Sequence, residues 1–273
     1  MRADLQGQLD GFVELHRDGP VLEIRMVKPK VNAICRRFSR AMELAALQLQ
    51  DDPDLRVGIL SSGNDRAFSA GLDFQESTRA ADRDDSIKAK EGGFGGITTL
   101  WSLKKPLIAA INAPAIGGGL ELALSCDIML MADEAWLQLP ELQRGLLPDG
   151  GGLQRLPRRI PWHVATAMIW TGDPMTAAEA HRWGLVHKTA PRSELMDLAR
   201  ATALKLAKGA PLAMQALKET LRVVDGLPDR AAMSLRADSA GDLACYRRML
   251  TSDDMIEGQR AFLERRAPRW TGN

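Results

Sequence analysis

A chain of 273 residues with 45% hydrophobic and 26% charged residues has the size and balance of one large globular core or two small ones. Its net charge of +1 excludes a global field that would draw it to nucleic acid or an anionic membrane, so an anionic ligand must be held by local groups. No apolar run approaches the roughly 18 residues of a membrane span, and residues 1–10 carry no signal-peptide core, so the sequence predicts a cytoplasmic protein.

Residues 13–17 and 21–26 read as short strands, and Asp18-Gly19-Pro20 between them reads as a hairpin turn. Phe38, Met42, Ala45, Ala46 and Leu49 recur at helical spacing, which predicts a helix over residues 38–49 with that face buried. Residues 57–60 form a buried-type strand that ends in the polar loop 61–65. Residues 78–90 are highly charged and read as solvated, and Gly92-Gly93 and Gly95-Gly96 around Phe94 read as a mobile flap. Residues 106–111 and 128–131 are further apolar strands, and from Pro161 onward the pattern is mostly helical, with long amphipathic candidates over 193–208, 211–224 and 253–266. Trp170, Trp183 and Trp270 read as packing residues. Cys35, Cys126 and Cys245 are scattered and set among apolar neighbours, which points to reduced core thiols; no histidine spacing implies a metal.

Strands followed by glycine-rich turns into helices describe an α/β fold with ligands at the strand ends. Two such turns stand out. Gly117-Gly118-Gly119-Leu120-Glu121 places bare backbone at a helix start, where free N–H groups favour developing negative charge, and adds a carboxylate in the first turn. Ala67-Phe68-Ser69-Ala70-Gly71-Leu72-Asp73 is a second run of small residues after a strand, able to bring amides close to a ligand. Pro140-Glu141 precedes a third, Gly150-Gly151-Gly152, with Asp149 before it. Glu141 and Asp149 flank a turn-rich segment and can converge. The spacing of GGGLE lacks the G-x-G-x-x-G pattern of dinucleotide sites.

In order and spacing these three stretches, with Leu153-Gln154-Arg155-Leu156-Pro157, resemble the enoyl-CoA hydratase/isomerase (crotonase) superfamily. Within it, Gly92-Gly93-Phe94, Pro148-Asp149-Gly150-Gly151, Arg182-Trp183-Gly184-Leu185-Val186 and Pro268-Arg269-Trp270 are similar to the carnitinyl-CoA dehydratase (crotonobetainyl-CoA hydratase) branch.

The resemblance implies a spiral of ββα units over residues 1–195 and a helical C-terminal region over 196–273 that assembles a homotrimer or hexamer. It implies an acyl-CoA thioester as substrate, coenzyme A being part of that substrate and no separate cofactor or metal being needed. On the same analogy the amides of Ala70 and Gly118 receive the thioester oxygen. Ala67, Ser69, Gly71, Leu72, Asp73 and Gly117 hold the CoA moiety, and Arg66, Arg265 or Arg266 meet its phosphates. Glu121 and Glu141 match the two acid/base glutamates of hydratases. Asp149 stays open between a proton shuttle, a counter-charge for a trimethylammonium group with Phe94 or Trp136 as an aromatic face, and a helix cap before Leu153. The implied activity is a hydro-lyase on a short enoyl-CoA, with crotonobetainyl-CoA and L-carnitinyl-CoA as the expected pair; a general short-chain enoyl-CoA hydratase or enoyl-CoA isomerase, and a catalytically weak binding or assembly subunit, are the alternatives.

Overall fold

The computed structural model describes residues 9, 11–79, 91–235 and 243–273. The chain enters through β1 (Val13–Asp18) and β2 (Val21–Met26), an antiparallel hairpin in which Asp18 pairs with Val21 across Gly19-Pro20. Gly19 takes φ +52, which a two-residue hairpin turn requires at its first position. Helix α1 (Arg36–Asp51) is capped by the Cys35 Sγ, which accepts from Phe38 N, and buries Phe38, Met42, Ala45, Ala46 and Leu49 as their spacing predicts.

Each later turn of the chain contributes one strand to each of two sheets. In the first, β2 is followed in parallel by β3 (Val57–Ser62), β4 (Leu107–Ile111), β6 (Ile128–Ala132) and β9 (Lys188–Ala190), giving the order β1-β2-β3-β4-β6-β9. In the second, Ile34 bridges Leu72, Ser69 bridges Ala115 in β5 (Ala115–Ile116), β5 pairs with β7 (Trp136–Gln138), and β7 pairs with β8 (Met175–Thr176). Stepping sideways by one strand per turn in both sheets is the geometry of a ββα spiral. The inner strands β3, β4 and β6 are buried along nearly their whole length, so they read as continuous apolar runs instead of alternating ones.

The short helices α2 (Phe74–Arg79) and α3 (Gly118–Leu124) follow the Leu72 bridge and β5 in the chain, and after them come α4 (Gly152–Arg159), α5 (Trp162–Thr171) and α6 (Ala177–Arg182). Helix α7 (Leu195–Ala207) then lies across β3, β4 and β6, and α8 (Pro211–Val224), α9 (Asp229–Ser234), α10 (Ala244–Leu250) and α11 (Asp253–Leu263) follow. No helix among the described residues is long and apolar enough to cross a membrane.

Two expectations fail here. Residues 92–96 do not stand off the body as a flap: Gly92, Gly95 and Gly96 are buried, Gly92 N donates to Glu43 Oε1 at 3.4 Å and Gly95 N to Ser39 Oγ at 3.0 Å. Side chains would not fit here: a β-carbon on Gly96 would run into Ser39 O and Glu43 N of α1, one on Gly95 into the Leu122 side chain, and one on Gly92 into the Gly96 backbone. Trp170 is not a packing residue within this chain, since it faces outward from α5 and is 74% exposed, whereas Trp183 packs on the core. Of the charged stretch 78–90, residues 80–90 lie outside the described residues.

Candidate active site

The corners where the second sheet turns into helices surround a cavity of about 310 Å³. Leu72 and Gly118 reach it from the two small-residue runs, Glu121 from α3, Glu141 from the turn after β7, and Asp149 from the loop before α4; Phe94 supplies an aromatic face.

The first run is held rigidly from behind. Asn32, fully buried with φ +49, donates from Nδ2 to Phe68 O and Ser62 Oγ, both at 2.9 Å. Ser69 Oγ donates to Asn32 O at 2.8 Å and accepts from Gly71 N at 3.2 Å, while Ser69 O accepts from Ile116 N. Ala67 and Ser69 are thus buried scaffold and do not line the cavity.

Ala70 corrects the sequence reading. It lines the cavity, but its N–H donates to Val31 O at 2.9 Å and cannot serve a ligand at the same time. Two residues on, the chain alternates: Gly71 O accepts from Ile34 N and Asp73 N donates to Ile34 O, leaving the Leu72 amide without a partner among the described residues. The Gly118 amide, first of α3, is likewise unpartnered, as the first N–H groups of a helix are. The two donors belong to touching segments, since a β-carbon on Gly71 would stand 2.7 Å from Ile116 O and 2.8 Å from Gly118 N. Gly71 also takes φ +79, so both space and backbone exclude a side chain.

Two carboxylates line the same cavity. Glu121 is 4% exposed, and its Oε1 accepts from Gly152 N at 2.9 Å, so the side chain of one helix caps the start of the next. Burial pushes its pKa up to about 7; the Gly152 hydrogen bond opposes the rise, Glu141 and Asp149 add to it, and Arg155 opposes it. Glu141 is also raised, chiefly by burial. Its Oε2 is buried without a hydrogen-bond partner, and a β-carbon on Gly117 would stand 2.6 Å from its Oε1. An unsatisfied buried carboxyl oxygen facing a cavity is a group placed for a ligand.

Asp149 is exposed on the cavity rim and does not cap α4, whose N-cap residue is Gly151 and carries no side-chain cap. Trp136, considered with Phe94 as an aromatic face, lies off the lining. Asp73 does not reach the cavity: it pairs with Lys28 Nζ at 2.8 Å and accepts from Gln75 N and Glu76 N at the start of α2. The hydrogen bonds and pairing with Lys28 outweigh burial and lower its pKa. Arg66 is exposed and off the lining. Arg266 is engaged by Glu257, at 2.6 and 2.9 Å, and by Glu264 at 2.6 Å, and neither it nor Arg265 lines this cavity. The sequence reading missed the Leu72 amide, the Asn32 bracket and the Gly152 contact to Glu121. The first had a signal in its position beside Gly71, and the other two join residues far apart in the chain.

A cavity lined by two free amides and two carboxyls raised by burial suits chemistry in which charge collects on an oxygen while protons move nearby. The chain matches the enoyl-CoA hydratase/isomerase family over residues 16–273 and belongs to it. Among the relatives it resembles are the carnitinyl-CoA dehydratases of Salmonella typhi and Salmonella enteritidis PT4, each 43% identical over 260 residues that span 95% of this chain and 98% of the relative. Among solved structures, an enoyl-CoA hydratase from Mycobacterium tuberculosis H37Rv superposes with a TM-score of 0.86 at 36% identity, covering 96% of this chain and all of that one.

Proposed function

We propose that this chain is a hydro-lyase that adds and removes water across the 2,3 double bond of a short enoyl-CoA thioester, with crotonobetainyl-CoA and L-carnitinyl-CoA as the preferred pair. The observation that carries the reading is that Glu121, Glu141 and the unpartnered amides of Leu72 and Gly118 line one cavity. The thioester oxygen accepts from both amides and takes up the charge of the enolate; each such donor is worth about 3 kcal/mol in the transition state. Ionised Glu121 takes a proton from water, the hydroxyl oxygen bonds to Cβ, and protonated Glu141 delivers its proton to Cα. One proton is shared by the pair before and after, so reversal of the same steps removes water. Burial favours this shared state, because it discourages both carboxyls from ionising together. Coenzyme A arrives as part of the substrate, and the scheme calls on no separate cofactor.

Identity to the two dehydratases along nearly the whole chain supports the acyl preference. So does the Asp149 carboxylate on the rim of the cavity that the Phe94 ring also lines. An aromatic face contributes about 0.5–2 kcal/mol toward a trimethylammonium group. The experiment is a side-by-side measurement of kcat/KM for crotonobetainyl-CoA and crotonyl-CoA. Preference for the first is expected; equal efficiency or preference for the second would replace the carnitine-type assignment with a general short-chain hydratase. The helices beyond residue 195 are assigned to self-association as a trimer or hexamer, supported by Met233, Phe262 and Leu263, which are 79%, 83% and 80% exposed in the single chain. Light scattering tests that assignment.

A further inference from the structure

Arg155 lies outside the cavity lining, and the scheme above gives it no part. Its guanidinium nevertheless joins the two segments that close the cavity around Glu121. Nη2 donates to Thr98 O at 2.5 Å, and Nη1 donates to Gly150 O at 3.4 Å. Thr98 in turn donates from Oγ1 to the carbonyl of Phe94, whose ring lines the cavity. Gly150 is fitted between that ring and the carboxylate: a β-carbon there would stand 2.7 Å from Glu121 Oε2 and 3.1 Å from Phe94 Cδ1. Two residues further on, Gly152 N holds Glu121 Oε1. A shift of residues 150–152 would therefore carry away the amide that aims the carboxylate.

The charges agree with the geometry. Glu121 is faced by Glu141 from the turn after β7, by Asp149 from the following loop and by Arg155 from α4; the first two oppose its ionisation and Arg155 favours it. Arg155 is held there against a gradient, because burial and the neighbouring Arg159 and Arg222 disfavour its charge while Glu121 favours it. A guanidinium suits the task because its planar fork can reach two carbonyls at once, which an ammonium on a single stem does less well.

We propose that Arg155 is a positioning residue that clamps the segment 94–98 to the glycine run 150–152 and thereby fixes both the aim and the charge of Glu121. The proposal rests on the hydro-lyase reading, and its test is arranged so that the two can fail separately. Arg155→Met removes the charge and the fork; Arg155→Lys keeps the charge alone. With the enoyl-CoA that the wild type hydrates best, Arg155→Met is expected to lower kcat on the order of 100-fold with little change in KM. It is also expected to move the acid limb of the pH profile upward, because Glu121 then ionises less readily. Arg155→Lys should restore the limb and only part of kcat.

Independently of turnover, melting temperatures across pH for the wild type, Glu121→Gln, Arg155→Met and the double variant report the proton held at Glu121. The pH window in which Glu121→Gln gains stability should lie higher in the Arg155→Met background. If no enoyl-CoA is hydrated by the wild type, the hydro-lyase reading fails while this window still decides the role of Arg155. An unshifted window, or wild-type kcat with an unshifted limb in Arg155→Met, overturns the proposal and leaves Arg155 a support of the fold.

Discussion

The cavity lining has a main-chain side and a carboxylate side in its chemistry, though both meet at the Gly117-Gly118 segment, and the two are stabilised in opposite ways. The amides of Leu72 and Gly118 have no partner among the described residues, while donors beside them are engaged: Ala70 by Val31, Asp73 by Ile34, Gly117 by Gln138. That side does not titrate, and its geometry is over-determined by the fold. The carboxylate side is held by few contacts, among them the Gly152 hydrogen bond to Glu121, and is buried against its own charge. Rigid donors and strained acids together are what an enolate intermediate needs, and they make different demands on a variant.

The largest effect should come from the rigid side. Gly71→Ala forces a β-carbon between Ile116 O and Gly118 N at a backbone angle that alanine resists, so both donors are displaced. Loss of one donor alone corresponds to about 10²–10³ in kcat, and here the loss should be the same at every pH because no titrating group is touched. Steady-state rates from pH 5 to 9 check this; a loss that varies with pH would break the contrast between the two sides.

On the carboxylate side, Glu141→Gln should lower kcat about 10²–10⁴-fold, as removal of a general acid does, with KM for the CoA thioester little changed. The wild-type profile of kcat/KM should fall on both sides of a maximum, since the pair must hold one proton. Its basic limb is expected above the ordinary carboxylate range because both acids are raised.

Stability gives a smaller but cleaner signal. Burial pushes the Glu121 pKa up to about 7 from its ordinary 4.5, so the folded state keeps a proton that the unfolded chain releases between those values. Its contribution is fully present below the lower value and is lost as pH rises through the upper one. Glu121→Gln, which keeps an oxygen for Gly152 N, should therefore gain up to about 3 kcal/mol relative to the wild type on going from pH 4 to pH 8. Urea denaturation at the two pH values measures it, and a gain with the opposite sign would show that the carboxylate is stabilised in its ionised form. The smallest effect belongs to Asp149 on the rim. Asp149→Asn should weaken kcat/KM for a cationic acyl chain several-fold and leave crotonyl-CoA almost untouched, in keeping with an exposed charge pair.

The contrast also explains what could be read from the linear chain. Helix α1, the apolar strands β3, β4 and β6, and the glycine turns at 71 and 117 are local patterns, and the structure places them where their periodicity puts them. Glu121 and Glu141 were legible as acids beside glycine runs, and they share the cavity. The donor on the first run was displaced from Ala70 to Leu72 because a free amide is defined by what its neighbours bond to, and Val31 and Ile34 lie on a different strand row. Residues 92–96 misled for a related reason: glycines permit motion in the open, but here they permit contact with Ser39 and Glu43 of α1. Trp170 is outward on the single chain, and nothing in helical spacing distinguishes an inner apolar face from an outer one.

The most direct test is exchange of the α proton of a saturated short acyl-CoA in deuterated water, followed by NMR. It needs the amide pair to hold the thioester oxygen and Glu141 to move the proton, but no water addition. Exchange should proceed in the wild type, persist in Glu121→Gln and vanish in Glu141→Gln and Gly71→Ala. Exchange that survives Glu141→Gln at the wild-type rate would contradict the assignment on which the mechanism is built.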